Sequence, residues 1–363
     1  MARAAVLHSV GDRDLDLRDD VTPVDPGPDD VRVRIRATGV CHSDLSAMTG
    51  VLPTAVPAVL GHEGAGEVVE VGERVTGLRP GDHVVVNWTP NCGTCADCER
   101  GEPYLCTVFL GRAFGQARFR RGGADPAVYA LAGCGTWAEE VTLPRQGVIK
   151  VADDVPFEYA ALLGCGLPTG LGAVFNTARV RPGASVAVVG AGGVGLSVIQ
   201  GARIAGAATI LAVDPNPAKH PLAERFGATH TATPDEADAV KGLLTSGTGF
   251  DHAFEVVGRS AAIATAYGLA RRGGEVVVVG VAPASESYAL NPFSLVFEGK
   301  SVRGSLYGDC DLRRDIPRYV DLWRAGRLDI EGLISRRIGF GDLNDAVRTL
   351  ERGEAVRQVV LFE

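Results

Sequence analysis

Two patterns of hydrophobic and polar positions divide the chain. In the first third, short runs of β-forming residues are separated by Gly and Pro, as over residues 31–35, 66–71 and 83–86. Such runs, bounded by turn residues, predict short strands. We expect these strands to form a partly closed β domain.

A different pattern covers residues 165 to 305, where apolar runs alternate with Ala-rich segments of helical character. The runs at 185–190, 209–213, 252–257 and 275–279 are apolar almost throughout, which is typical of parallel strands covered on both faces. The residues from Asp315 onward have a largely helical pattern, and Phe362 closes a short final strand. We therefore predict an α/β protein with a β domain over 1–164, a doubly wound parallel sheet over 165–306 and a C-terminal return to the first domain over 307–363.

Composition narrows the class of protein. The 363 residues are 46% hydrophobic and 22% charged, as in a soluble globular protein, and the net charge of -8 argues against a nucleic-acid-binding surface. The N-terminus has no apolar leader, and no apolar run is long enough to span a bilayer. We expect a cytoplasmic protein without membrane or nucleic-acid partners. Disulfides are rare in the cytosol, so clustered cysteines there point to metal binding or catalysis.

A glycine-rich turn follows the first strand of the second region. Gly190, Gly192 and Gly195 form a G-x-G-x-x-G pattern that opens a helix. The glycines permit a tight turn and a close approach of the backbone to a pyrophosphate, which the N–H groups of the helix N-terminus then face. Asp214, after the next strand, can accept both adenosine ribose hydroxyls and repels a 2′-phosphate. The pattern predicts NAD binding; the alternative is a glycine-rich turn in an unrelated α/β fold.

Half of the eight cysteines lie in one short segment, residues 91–106. The spacing of Cys92, Cys95, Cys98 and Cys106 brings four thiolates within reach of one tetrahedral ion, and zinc favours such ligands. Four protein ligands leave no open position, so we predict a structural zinc site. The alternatives are an iron–sulfur cluster or four unligated thiols.

Catalysis then needs other residues, and the candidates are Cys41, His62, Glu63 and Cys165. Each has a plainer interpretation, because buried cysteines beside glycine are commonly small core residues and a lone histidine in a turn is more often structural. Spacing alone leaves a Cys/His/Cys zinc site as one hypothesis among these.

The chain resembles the zinc-dependent medium-chain alcohol dehydrogenases along nearly its whole length. Five segments carry the resemblance, in this order: GVCHSDL, GHEGAGEVVEVGERV, CGTCADC with Cys106, GCGLPTG, and GAGGVG with Asp214. The resemblance implies a GroES-like β catalytic domain, a Rossmann domain, two zinc ions per subunit and NAD. It also implies hydride transfer from an alcohol to the nicotinamide, and homodimers or homotetramers assembled near residues 285–305.

The resemblance assigns roles to individual residues. Cys41, His62 and Cys165 match the catalytic zinc ligands, which leaves a fourth position for water or substrate. For catalysis it further implies Glu63 beside the zinc, Asp44 on the imidazole of His62, Ser43 as acceptor of the alcohol proton, Trp88 in the substrate pocket and Thr169 under the nicotinamide. For the dinucleotide it implies Gly190, Gly192, Gly193, Val194, Gly195 and Asp214, with Lys219 paired to Asp214 and with His42 and Arg357 on the pyrophosphate.

Two positions depart from the family pattern. Ser46 occupies the position where many liver-type members have a histidine that passes the proton to solvent. His42 replaces an arginine found in some relatives, and a histidine gives a weaker, pH-dependent phosphate contact. The route of proton release therefore stays open at this stage.

The substrate is less well defined. Trp88, with Leu52 and Leu110, suggests an apolar, aromatic-lined pocket, although Trp88 also suits the β core. We expect a dehydrogenase of primary alcohols, aromatic or of medium chain length. The alternative is a formaldehyde-oxidising enzyme acting on the hydroxymethyl adduct of a thiol such as mycothiol, because LLGCG, NW and SLYGDC are similar to actinobacterial members of that branch. A remote alternative is a non-catalytic protein that binds zinc and nucleotide on the same fold.

One segment and two cysteines have no assigned role. The insert at 109–126 contains Arg112, Arg118, Arg120 and Arg121, and it is either a solvated surface loop or a basic rim for an anionic substrate or a partner subunit. Cys134 and Cys310 match no motif.

Overall fold

The computed structural model describes residues 2–111, 115–122 and 127–363, and the chain divides into two compact units. The first unit contains residues up to Cys165, then Asp311–Trp323 and Ile330–Glu363, and the second contains Gly166–Cys310 and Arg324–Asp329. The sequence placed the boundaries after residues 164 and 306 and assigned the whole of 307–363 to the first domain. In the structure, 324–329 group with the second unit.

The first unit contains a closed barrel, β1-β2-β7-β8-β4, and a seven-stranded sheet in the order β10-β6-β5-β3-β18-β17, with β9 also paired to β3. Its strands are β1 Ala2–Leu7, β2 Asp16–Pro23, β3 Asp30–Val40, β4 Ala58–Val59, β5 Gly64–Val71, β6 His83–Val86, β7 Ala117–Arg121, β8 Ala127–Ala130, β9 Glu140–Pro144, β10 Val148–Lys150, β17 Ile334–Gly339 and β18 Arg357–Leu361. Its helices are α1 His42–Met48, α2 Ala96–Glu99, α3 Thr107–Leu110, α4 Phe157–Leu162, α11 Leu312–Arg324 and α12 Leu343–Glu351.

Alternating side chains explain why β3 forms a strand of this sheet. Val31, Val33 and Ile35 are fully buried, and Arg32 and Arg34 between them lie on the other face. An alternation with period two is expected where one face of an antiparallel sheet covers a core. This strand ends at Val40, directly before Cys41.

The second unit contains a six-stranded parallel sheet in the order β13-β12-β11-β14-β15-β16. Its strands are β11 Ser185–Val189, β12 Thr209–Val213, β13 His230–Ala232, β14 Phe250–Glu255, β15 Ala270–Val278 and β16 Ser301–Gly304. Its helices are α5 Gly166–Gly172, which continues as a π-helical turn over Ala173–Thr177, α6 Gly193–Ala205, α7 His220–Phe226, α8 Ala237–Thr245, α9 Ser260–Leu269 and α10 Pro292–Glu298. Among the described residues, no helix combines the length and the apolar character needed to cross a membrane.

One sequence prediction fails in the C-terminal segment. We expected residues from 315 onward to be largely helical, but strand β17 lies between α11 and α12. Its sequence, ISRRIG, contains two arginines and only two large apolar residues, so it gives almost no hydrophobic signal. Parallel pairing with β18, a long-range contact, makes it a strand.

Candidate active site

A group of four metal-binding side chains lies buried in the first unit. The ligand atoms of Cys41, His62, Glu63 and Cys165 all lie within 4.8 Å of one another. Cys41 follows β3, His62 and Glu63 precede β5, and Cys165 lies just beyond α4, so separate elements bring the four residues together. Two sulfurs and one imidazole are a donor set that suits zinc with an open fourth position.

Asp44 fixes the orientation of this group. Its Oδ2 accepts the N–H of Cys41 at 3.0 Å, and its Oδ1 lies 3.0 Å from the N of Gly61 and 3.1 Å from Nδ1 of His62. With Nδ1 facing the carboxylate, His62 Nε2 is left buried and without a hydrogen-bond partner in the described chain. A carboxylate on one imidazole nitrogen that leaves the other free for a metal is a common arrangement at zinc sites.

Charges inside the group support metal binding. A hydrogen bond from Cys165, with the positive charges of Arg357 and His62, holds the pKa of Cys41 well below that of free cysteine. Burial opposes a charged imidazole, but Asp44 and Cys41 outweigh it and raise the pKa of His62 well above its usual value. A thiolate therefore forms readily at Cys41. A metal cation bound here would take the place of the proton on His62 as the positive partner of that thiolate.

The structure places Arg357 in a position that its sequence motif did not reveal. Arg357 is buried, and its Nη1 lies 3.1 Å from Oε1 of Glu63. Burial raises the pKa of Glu63 to about 7, and the charge of Arg357 opposes this. The glycine at 39 makes room for the carboxylate, since a Cβ there would lie 2.1 Å from Glu63 Oε2. Arg357 is thus the charge partner of Glu63, and its contact with the pyrophosphate stays a prediction.

Two further predicted residues, Ser43 and Trp88, lie close to this group in the first unit. Ser43 Oγ lies 3.9 Å from Cys41 Sγ, and the side chain of Trp88 packs edge-on to His62 with ring centroids 6.3 Å apart. Trp88 also packs against the hydrophobic core, which confirms the second of its two expected positions, and its place in a substrate pocket stays a prediction. His42 is exposed at the start of α1. Leu52 is half-buried, and the side chain of Leu110 lies outside the described part of the chain.

The four clustered cysteines also come together. The Sγ–Sγ distances are 3.5 Å for Cys95–Cys98, 3.8 Å for Cys95–Cys106 and 4.0 Å for Cys92–Cys98. Tetrahedral zinc with bonds of about 2.3 Å needs sulfurs at roughly these separations. Backbone N–H groups also point at the sulfurs, and that of Thr94 helps lower the pKa of Cys92 to about 6. This segment fits a closed, structural zinc site.

The glycine-rich turn lies at the carboxyl end of β11 in the second unit. Gly192 precedes α6, which begins at Gly193, and Val194 follows in its first turn. A Cβ at Gly195 would lie 1.9 Å from the carbonyl oxygen of Gly190, so helix and strand approach as closely as the sequence predicts.

Asp214 lies beside this turn. The residue is buried, and its carboxylate accepts the N–H of Ala191 at 2.8 Å and that of Asn216 at 2.9 Å. Lys219 Nζ lies 3.3 Å from the same carboxylate. Thr169, expected under the nicotinamide, lies half-buried in α5 of the same unit.

Part of the arginine-rich insert is a strand. Arg118, Arg120 and Arg121 belong to β7, which pairs with β2 and β8 in the barrel. Arg120 and Arg121 lie within 4.0 Å of Asp25 and Asp20 respectively, so acidic neighbours offset their charge. The interpretation as a simple surface loop is therefore wrong for this part, and Arg112 lies outside the described residues.

Comparisons with known proteins match two parts of the chain to families of dehydrogenase domains. Residues 27–153 match the model of the alcohol dehydrogenase GroES-like domain, and residues 193–325 match that of the zinc-binding dehydrogenases. The two matches span the segments that hold the metal-ligand groups and the glycine-rich turn, apart from Cys165, Gly190 and Gly192.

Individual proteins are similar over the full length. An S-(hydroxymethyl)glutathione dehydrogenase from Paracoccus denitrificans is 38% identical, with 99% of each chain covered. The solved structure of benzyl alcohol dehydrogenase from Acinetobacter calcoaceticus is 31% identical, with a TM-score of 0.93 over 100% of this chain and 99% of that one. A zinc-binding dehydrogenase from Sinorhizobium meliloti 1021, solved bound to NADP, is also 31% identical, with a TM-score of 0.83 and the same coverage. This chain therefore belongs to the zinc-dependent medium-chain alcohol dehydrogenases.

Proposed function

We propose that this protein oxidises primary alcohols to aldehydes, and catalyses the reverse reaction, with NAD as the hydride acceptor. The observation that carries the proposal is the buried group of Cys41, His62 and Cys165, whose ligand atoms lie within 4.8 Å of one another with Asp44 behind the histidine. Zinc bound there would polarise the hydroxyl oxygen of the alcohol and lower its pKa, and NAD would take up the hydride.

The chain's own residues would bind, orient and deprotonate the substrate. Ser43 accepts the hydroxyl proton, which is consistent with its position 3.9 Å from the Cys41 sulfur. Asp44 keeps the proton of His62 on Nδ1 and so keeps Nε2 free for the metal. Trp88 restricts the space beside His62, which favours slender or planar substrates over bulky ones.

Asp214 supports NAD rather than NADP. The carboxylate is buried at the end of β12, next to the glycine-rich turn, where an adenosine ribose binds in folds of this kind. A 2′-phosphate there would meet this negative charge. Lys219 contacts Asp214 and offsets part of its charge. A 2′-phosphate would attract Lys219.

A second substrate is favoured by the relatives rather than by the geometry. The Paracoccus relative is named for the hydroxymethyl adduct of glutathione. Such an adduct is also a primary alcohol: loss of a hydride to NAD and of the hydroxyl proton would give the S-formyl thioester. We propose this thiol-adduct activity, with glutathione or mycothiol as the thiol, as the second candidate.

A substrate panel separates the candidates. NADH formation would be followed with benzyl alcohol, hexanol, and formaldehyde with and without each thiol, using NAD and NADP in parallel. The first proposal predicts benzyl alcohol or hexanol turnover that needs no thiol, and the second predicts formaldehyde oxidation only with thiol. No reduction of either dinucleotide by any of these substrates would contradict both.

We also propose that the protein is a homo-oligomer assembled through α10 and β16. On α10, Ser294 bonds Tyr267 and Glu298, whereas Phe293 and Phe297 are 67% and 63% exposed. An apolar helix face turned to solvent marks an interface. Strand β16 is the outermost strand of its sheet, and antiparallel pairing with a second copy would bury both features.

A further inference from the structure

A buried glutamate lies at the edge of the sheet where the glycine-rich turn begins. Glu255 is the last residue of β14, it is 0% exposed, and it is in register with Val189 of β11 and Val278 of β15. These three strands are parallel, so their carboxyl ends, and Gly190 directly after Val189, share one edge. No sequence motif singled out Glu255.

The carboxylate holds the loop that follows its own strand. Oε1 of Glu255 accepts the N–H groups of Val257 and Gly258, each at 2.7 Å. The backbone carbonyl of Glu255 accepts the N–H groups of Val279 and Gly280, at 2.8 and 3.2 Å, in the loop after β15. One residue therefore connects two loops at the same edge of the sheet.

The two loops also touch each other directly. Gly258 has φ +79°, and a Cβ there would lie 2.5 Å from the carbonyl oxygen of Val281. A Cβ at Gly280 would lie 2.1 Å from the backbone nitrogen of Gly258. Backbone packing this close leaves little room for either loop to move independently.

The same loops reach the glycine-rich turn. A Cβ at Gly190 would lie 2.7 Å from a methyl group of Val257, and a Cβ at Gly195 would lie 3.2 Å from a methyl group of Val256. Val257 and Val281 are nevertheless 50% and 60% exposed, so each loop presents an apolar side chain at this edge.

Stability alone does not account for a carboxylate here. Burial raises the pKa of Glu255, although backbone N–H groups, that of Gly258 foremost, oppose the shift. Its second oxygen, Oε2, is buried and accepts no hydrogen bond from the described residues. A buried oxygen without a hydrogen-bond partner lowers the stability of the fold, so stability does not explain a carboxylate at this position.

We infer that Glu255 is a positioning residue for the dinucleotide. It fixes the loops after β14 and β15 against the glycine-rich turn, so that Val257 and Val281 form a preset apolar surface for the bound cofactor. This inference rests on the proposed function, because it assumes that the turn binds a nicotinamide dinucleotide. Loops fixed in advance lower the ordering cost of binding, so the effect belongs to cofactor affinity.

Direct titration tests the inference. NADH would be titrated by fluorescence into the wild type, Glu255→Gln and Glu255→Ala, with Glu275→Ala as the control. Glu275 lies on the neighbouring strand, in contact with His252 and away from the carboxyl edge. We expect the Kd for NADH to rise about tenfold in Glu255→Ala and less in Glu255→Gln, which keeps one acceptor oxygen. The Kd of Glu275→Ala should equal that of the wild type, and kcat at saturating NAD should change less than KM for NAD in both Glu255 variants.

The remaining outcomes of the titration separate a failure of the positioning role from a failure of the proposed function. Equal Kd values for all four proteins, or a loss of thermal stability in the Glu255 variants with Kd unchanged, would overturn the positioning role. Failure of the wild type to bind NADH would instead overturn the proposed function. If Glu255→Ala does not fold, hydrogen exchange on the wild type decides: NADH should slow exchange over 256–259 and 279–281, and unchanged exchange there would overturn the inference.

Discussion

At the scale of single residues, Asp214 is the side chain most directly linked to cofactor choice. Its carboxylate contacts Ala191 in the glycine-rich turn, Asn216 in the next loop and Lys219. An asparagine of the same shape keeps an acceptor oxygen and removes the charge. The proposed preference for NAD can therefore be tested at Asp214 with little change in shape.

We predict that Asp214→Asn weakens the discrimination between NAD and NADP. The ratio of kcat/KM for the two dinucleotides should fall about tenfold, because the repulsion of a 2′-phosphate disappears while Lys219 remains. Asp238→Asn is the control, since Asp238 is an exposed residue paired with Lys241 on α8. An unchanged ratio in Asp214→Asn would remove Asp214 from the ribose site.

A site residue could be predicted from the sequence where the evidence for it lies within a short segment of the chain. The spacing of the cysteines at 92–106 predicts that they group together, as they do in the structure. The family resemblance predicts Asp44 beside His62, and Oδ1 of Asp44 lies 3.1 Å from Nδ1 of His62. The pairing of Glu63 with Arg357 joins residues 294 positions apart, so only the fold reveals it. The sequence did not reveal Glu255 for a related reason. Its proposed role depends on the backbone groups around it, which no pattern of side chains displays.

At the scale of elements, the cysteine segment, residues 91–106, has almost no buried side chains of its own. Its helix α2 has no buried residue, and of its four cysteines only Cys106 is buried. A segment without a core depends on its metal for its conformation.

We predict that Cys98→Ser exposes this segment to proteolysis. Zinc content should fall from two to one per chain, and limited proteolysis should cut within 91–106 while the remaining zinc stays bound. Cys310→Ser is the control, because Cys310 is a buried cysteine outside both metal groups. Equal zinc content and equal cleavage in Cys98→Ser and the wild type would contradict a structural metal site here.

The opposite edge of the parallel sheet makes a pH-dependent contribution to stability. Burial opposes the charge of Asp251, but hydrogen bonds from Ser185 and Arg271 outweigh it and lower the pKa of Asp251 to about 2. A carboxyl group whose folded pKa is depressed stabilises the fold above its ordinary pKa of 3.8 and loses this effect as the pH falls through 2.

We predict that Asp251→Asn lowers the free energy of unfolding at pH 6 and that its difference from the wild type shrinks as the pH falls from about 4 towards 2. Urea unfolding at several pH values measures the difference, with Asp238→Asn as an exposed control. A difference that stays constant or grows towards low pH would contradict the assigned pKa.

At the scale of the whole molecule, the sheet of the second unit was largely predictable and the architecture of the first was not. Strands at 185–189 and 209–213 stand out because both of their faces are buried, so their sequences are apolar after the first residue. The barrel joins β1, β2 and β4, within residues 2–59, to β7 and β8, within residues 117–130, and these strands are weakly patterned. Strand β7 carries three arginines, and its partners rather than its composition make it a strand.

Assembly is the second property at this scale. We predict that Phe297→Asp converts the protein to a smaller species in sedimentation, because a charge would be buried in the proposed interface at α10 and β16. Leu243→Asp, at an even more exposed apolar position on α8, should leave the sedimentation unchanged. A wild type that sediments as a monomer, or identical sedimentation of all three proteins, would contradict the interface.

The central claim is that Cys41, His62 and Cys165 hold the zinc ion that makes the protein an alcohol dehydrogenase. The most direct measurement compares zinc content and NADH formation in the wild type, Cys41→Ser and Cys134→Ser. Cys134 is a buried cysteine of the same unit that belongs to neither metal group, and its thiol donates to the carbonyl of Ala132 as a serine hydroxyl can. The account predicts two zinc ions and full activity in the wild type and in Cys134→Ser, and one zinc ion with activity reduced at least 100-fold in Cys41→Ser, because a metal site of this kind supplies several kcal/mol of catalysis. Turnover that persists in Cys41→Ser with only the cysteine-segment zinc present would contradict it.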